Sequence, residues 1–141
     1  MAKTKPAFLA MAVVALALAG CRQPTPVLTI ESLPYQAEAG ASAQQPTLSE
    51  YERAIIRAGS NRGWTFSRLE TGHLEGRILV RGKHTAVVDV FFDDETFSIL
   101  YKDSSNLEYN EAAATIHPNY NSWVRNLEQD IQAEVQRLRF S

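Results

Sequence analysis

His84-Thr-Ala-Val-Val-Asp-Val-Phe-Phe92 is the stretch on which the fold turns. It is rich in β-branched and aromatic residues, and its side chains alternate with a period of two. Ala86, Val88, Val90 and Phe92 fall on one face, and Val87, Asp89 and Phe91 on the other. Working outward, Gly82-Lys83 predicts a tight hairpin into the preceding strand. There Leu74, Ile78 and Val80 alternate with His73, Glu75, Arg77 and Arg81, and Gly76 marks a bulge or a close approach. Gly72 turns the chain back to a first strand carrying Trp64, Phe66 and Leu69. On the other side, Asp93-Asp94-Glu95 turns into Thr96–Lys102, with Phe97, Ile99 and Tyr101 inward, before Asp103-Ser-Ser-Asn106 breaks the strand. The pattern predicts an antiparallel meander of three or four strands.

Helical spacing flanks the meander. Thr47-Leu-Ser-Glu50 matches a capping box, in which hydroxyl and carboxylate satisfy each other's backbone donors. Leu48, Tyr51, Ile55 and Ala58 then share one face, and Gly63 suits a left-handed end. After a loop, with a short helical turn expected at Glu111–Ala114, Pro118 opens a long C-terminal helix. Its apolar stripe is Tyr120, Val124, Leu127, Ile131, Val135 and Leu138, with Trp123 beside it. Two amphipathic helices and one sheet predict an α+β, two-layer sandwich over 47–141, with both helices packed on one face of the sheet.

Upstream, residues 21–46 read as a flexible tether, with Pro24, Pro26, Pro34 and Pro46 and a small, polar stretch from Ala37 to Gln45. A coil of this length reaches about 25–30 Å. Val27, Leu28, Ile30, Leu33 and Tyr35 are apolar for a spacer. They fit an untidy tether, an edge strand docked on the domain, or a segment docked on a partner.

Lys3 and Lys5 precede an uncharged apolar run from Ala7 to Ala19, the pattern of a secretory leader over 1–20. The run is shorter than the roughly 20 apolar residues that span a bilayer. It ends in Leu18-Ala19-Gly20-Cys21, which resembles the lipobox of bacterial membrane lipoproteins. The resemblance implies cleavage before Cys21, a diacylglyceryl group on its thiol and an acylated amino terminus. Two or more acyl chains hold a protein stably on a membrane, at about 0.8 kcal/mol per buried methylene. Arg22 after the cysteine, in place of Asp, implies the periplasmic face of the outer membrane, with the inner membrane as the other address. Tyr101-Lys-Asp-Ser-Ser-Asn-Leu and Ile116-His-Pro-Asn-Tyr-Asn-Ser-Trp resemble segments of small proteobacterial lipoproteins. That resemblance implies no activity.

Composition limits what remains. A chain of 141 residues with a formal charge of −2 and no basic stripe interleaved with aromatics argues against a nucleic-acid partner. Cys21 is the sole cysteine, so a lipidated chain has neither disulfide nor thiol nucleophile. His73, His84 and His117 lack metal spacing, and Asp93-Asp94-Glu95 lacks the ligand spacing of a calcium loop, so neither a metal nor a cofactor is expected. Two features stand out. Leu79, Val87, Phe91 and Leu100 would form an apolar centre on the sheet face turned from the helices, rimmed by Arg77, Arg81 and Lys102, where a protein partner or a second copy would dock. Asp103, Asn106, Tyr109 and His117 would line a polar pocket, serving a small ligand or a hydrolytic site; alternatively Asp103 and Asn106 make turn bonds while Asn119 and Asn121 cap the last helix. The sequence favours a non-enzymatic envelope module that presents a surface. Replacing Cys21 by serine is expected to move the protein from the membrane to the soluble fraction and to abolish acylation. A Cys21→Ser chain that is still processed and membrane-bound would refute the lipobox.

Overall fold

In the computed structural model residues 22–37 and 44–141 are described; the leader and Cys21 lie outside them. The elements run β1 (Thr25–Pro26), β2 (Ile30–Pro34), α1 (Leu48–Ser60), β3 (Trp64–Glu70), β4 (His73–Val80), β5 (His84–Phe92), β6 (Thr96–Ser105), β7 (Thr115–Ile116) and α2 (Pro118–Arg139). The fold is α+β: a five-stranded antiparallel sheet in the order β2-β6-β5-β4-β3, a small β1-β7 sheet and the two helices. The alternation read in residues 84–92 places β5 at the centre. Ala86, Val88 and Val90 are wholly buried, in one core cluster with Leu74, Ile99, Tyr51, Ile55, Tyr120, Leu127 and Ile131.

Local chemistry explains the ends of the elements. Thr47 Oγ1 accepts from the Glu50 backbone N–H at 3.3 Å, and Glu50 Oε2 accepts from the Thr47 N–H at 2.8 Å. The Thr47 N–H, with the Thr47 hydroxyl donating to Glu50 Oε2 at 2.9 Å, holds the Glu50 carboxyl below its usual range. Gly63, at φ +89°, closes the turn after α1. The β4–β5 turn is centred on Arg81 and Gly82, both at positive φ, rather than on Gly82-Lys83. Its closing bond runs from Lys83 N–H to the Val80 carbonyl at 3.3 Å.

Gly76 is a close approach and not a bulge. It pairs in register with Phe66 and Val88, and a Cβ there would lie 2.9 Å from the Phe66 ring. A Cβ on Gly59 of α1 would meet the same ring, so Phe66 is seated between two glycines.

Two expectations shift. The strand expected to break at Asp103 continues to Ser105, because Ser104 and Ser105 still pair with Ala86 and Thr85 across a register slip at Val87/Val88. Residues 111–114 form the turn of a small hairpin in which Asn110 and Thr115 bridge, and Ala114 N–H bonds to the Glu111 carbonyl at 3.2 Å.

Of the readings open for Val27–Tyr35, the edge strand docked on the domain is the one seen. Over 22–37 the chain is built onto the domain. β2 pairs with the β6 edge through Ile30↔Ile99 and Leu33↔Phe97, with an irregularity between them where Ser32 takes φ +47°. Val27, Leu28, Ile30 and Leu33 pack against the core. Tyr35 is buried, with its ring stacked on Tyr51 at 4.7 Å and on Phe97 at 5.4 Å.

Two buried amides of α2 fasten the strap. Asn121 Oδ1 accepts from Leu28 N–H at 2.9 Å, while its Nδ2 donates to the Pro26 carbonyl at 2.9 Å and to Thr25 Oγ1 at 3.1 Å. Gln132 Oε1 accepts from Gln36 N–H at 2.9 Å and its Nε2 donates to the Pro34 carbonyl at 3.0 Å. The apolar residues that made 27–35 too hydrophobic for a spacer are covering surface that the β6 edge would otherwise expose. Replacing Asn121 by leucine leaves the Leu28 N–H and the Pro26 carbonyl without these partners, at a cost of about 1–3 kcal/mol. The urea midpoint is expected to fall, with amide exchange accelerating over residues 25–36 before it does in β5. An unchanged midpoint and exchange pattern would mean that the amide does not hold the strap.

Candidate functional site

The side of β4–β6 that alternates away from the core carries the first candidate surface. Leu79 is 58% exposed and Phe91 39%, whereas Leu100 is half-buried and Val87 is buried. Val87 lies between Arg77 and Asp103 in register, beside the β5/β6 slip, and offers little accessible surface. Leu79 pairs with Thr85, and Thr85 lies six positions, about 20 Å, along β5 from Phe91. The apolar residues are therefore separate.

Charged groups occupy the ground between them. His73 Nε2 and Asp89 Oδ1 are 2.7 Å apart, Lys102 Nζ lies 2.6 Å from Glu75 and 3.5 Å from Asp89, and the His73 ring stacks on Phe91 at 4.1 Å. The hydrogen bond to Glu75 leads the causes that raise the Lys102 ammonium above its usual range. The Lys102–Glu75 pair is exposed, and such pairs contribute little to stability. Their role is to fix a pattern of charge. The sequence pattern puts Asp89 on this face, Lys102 on its rim and His73 and Glu75 opposite the apolar side of β4, without bringing the four together. The signal was there in the period of two: His73 and Glu75 share a face of β4, opposite Phe91 and Asp89 of β5.

The polar segment after β5 forms the second candidate. Tyr101, Asp103, Asn106 and Tyr109, with Glu108 and Glu111, line a groove of about 590 Å³. Tyr101 and Tyr109 stack at 4.2 Å, Tyr101 meets the Tyr120 ring edge-on at 5.6 Å, and the Tyr101 hydroxyl lies 2.8 Å from Ser104 Oγ. Much of the polar lining serves the backbone. Asp103 Oδ1 accepts from the Ser104 N–H at 2.8 Å, Asn106 Nδ2 donates to the Lys83 carbonyl at 2.7 Å, and His84 Nδ1 donates to the Asn106 carbonyl at 2.8 Å.

His117 does not line this groove. It is the N-cap of α2, its Nδ1 accepting from the Asn119 N–H at 3.1 Å, and it lines a separate hollow with Arg22, Gln23, Pro24 and Glu108. The capping role expected of Asn119 and Asn121 thus falls to His117. Asn119 Oδ1 instead accepts from Arg22 Nη1 at 2.7 Å, and Asn121 holds the strap. Three of the four nominated pocket residues come together and the imidazole stands apart. Among the described residues no cluster of three or more His, Cys, Asp or Glu side chains is placed to hold a metal ion.

Comparison with protein families, with curated proteins and with solved structures finds no match for this chain.

The buried tyrosines give a pH test. Burial pushes the Tyr120 phenol above the ordinary tyrosine range. Burial does the same to Tyr35, reinforced by Tyr51, Asp93 and Asp94 and opposed by Arg139. The unfolded chain releases these protons at lower pH than the folded one, so their contribution to stability is lost as pH rises above the unfolded tyrosine value. Phenolate absorbance should show these two groups titrating only with alkaline unfolding, and Tyr120→Phe should make stability less steep in alkali. Reversible titration of all five tyrosines in the native fold would contradict their burial.

Proposed function

We propose that the chain is a lipid-anchored accessory module of the bacterial cell envelope, held through Cys21 on the periplasmic face of the outer membrane, and that it works by binding a protein. The lipobox resemblance supplies the address. The observation that carries the binding role is the pattern on β4–β6: exposed Leu79 and Phe91 flank the His73, Asp89, Glu75 and Lys102 cluster. In this reading helices and sheet make two layers, the helices cover one face, and the other meets the partner. Two apolar anchors supply contact area, and the charge pattern between them selects the partner and its register. No reaction is assigned to the domain.

A second reading, a small polar ligand in the 590 Å³ groove walled by Tyr101 and Tyr109, has the stacked rings in its favour. A hydrolytic version has less support, because His117 lines a different hollow and its Nδ1 serves the helix cap.

The test uses the full lipidated chain in cells. Leu79→Glu combined with Phe91→Glu should abolish crosslinked species that mass spectrometry identifies with the wild-type chain, with the circular dichroism of the purified protein unchanged. If the lost species is a second copy of this chain, the face is a self-association surface. Crosslinks that persist at wild-type level would sink the sheet-face reading.

A further inference from the structure

We infer that one end of the domain lies directly on the headgroups of the membrane that carries the lipid, so that the domain is held in one orientation rather than hung from a tether. This rests on the reading of Cys21 as lipidated. That end is built from residues 22–26, the 107–114 loop, β7 and the start of α2.

The argument starts with chain length. Consecutive Cα atoms are about 3.8 Å apart, so the first residue beyond the lipid attachment is Arg22. Docking begins there. The Arg22 guanidinium donates to Asn119 Oδ1 at 2.7 Å in the first turn of α2. Gln23 and Pro24 border the hollow with Glu108 and His117. Thr25 and Pro26 pair with Ile116 and Thr115, and Val27 N–H bonds to the Ala114 carbonyl at 3.0 Å. Over 22–37 the spacer that would have swung free is taken up by the fold. Acyl chains on Cys21 therefore bring this end, and no other, to the bilayer surface.

The exposed chemistry of that end fits a headgroup layer. Tyr109 is 39% exposed, and Ala112, Ala113, Ala114 and Pro24 are exposed beside it. An aromatic ring with a polar tip and small apolar side chains suit the interface. Arg22 stands at this end with Glu108 and Glu111, and the β4–β5 turn, joined to it by the Asn106–Lys83 bond, adds exposed Arg81 and Lys83, so the end carries both signs and no one-sided attraction for anionic lipid. The contact is therefore set by the short covalent connection and not by charge. The opposite end, with the β3–β4 and β5–β6 turns, stands a β6 length of about 30 Å away.

A lipidated Cys21 leaves no free thiol, so an added cysteine is the only labelling site. Ala113→Cys and Glu95→Cys would each be made in the full lipidated chain and labelled with a fluorophore. Each would then be reconstituted in phosphatidylethanolamine–phosphatidylglycerol vesicles containing a nitroxide on the headgroup. Quenching is expected to be several-fold stronger at position 113 than at 95, and to persist in high salt. Inserting about ten glycine and serine residues between Arg22 and Gln23, a reach of about 17 Å, should erase the difference. Equal quenching at both positions in the vesicle-bound chain, or a difference that survives the insertion, overturns the pose while leaving lipidation intact. A chain that fails to float with vesicles overturns the lipid reading and the pose with it.

Discussion

An extended strand laid along the body of an α-helix meets a surface with no backbone hydrogen bonds to offer, because away from the end turns each helical N–H and C=O is already paired within the helix. The strap at the start of this fold faces that constraint on α2. Asn121 and Gln132 resolve it. Each amide has one acceptor and two donors, and each is placed so that it accepts a backbone N–H and donates to a backbone C=O of the strap. They are separated by 11 positions, close to three full turns, so both project from the same side of the helix. Much else follows from those bonds: the β6 edge is covered, Tyr35 reaches its stack with Tyr51 and Phe97, and Arg22 arrives beside Asn119. A sheet edge left bare is a template for association, and β2 with its irregularity at Ser32 is a way of closing one.

Most of the architecture was legible because it rests on local periodicity. The alternation in β5, the capping box at Thr47 and the proline at the start of α2 each state their own geometry, and each appears as read. The docked strap was one of several readings, and the sequence could not choose between them for a physical reason. Its composition, rich in proline and poor in continuous alternation, is that of a linker, and it is held by partners far away in sequence, on β6 and on α2. Val27, Leu28, Ile30, Leu33 and Tyr35 were the available hint. An Asn and a Gln in the middle of a helix carry no signal of what they hold. The extension of β6 through Asp103 was hidden likewise, since residues with turn propensity pair there only because β5 supplies the other half of the ladder.

The candidate surfaces show the same division. Period-two reading put Leu79, Val87, Phe91 and Leu100 on one face, and that placement agrees with the register. What it could not supply was accessibility. The slip at Val87/Val88 and the approach of Lys102 to Glu75 and Asp89 turn an expected apolar patch into an ionic centre with two apolar flanks. In the polar segment, Asp103, Asn106 and Tyr109 are near one another in sequence and meet in one groove. His117 belongs to the next element, and its place at the helix start commits it to the backbone.

The two amide clips also govern the order in which the molecule is completed. Leu28 waits for a partner 93 positions downstream and Gln36 for one 96 positions downstream. A ribosome reaches the strap well before its fastening points. Until α2 is made, the strap lacks those partners and the β6 edge lacks its final cover. Contacts this distant in sequence must close a long loop before they stabilise anything, which makes them slow to form. The strap is thus sealed by α2, and its two clips close only once that helix is in place.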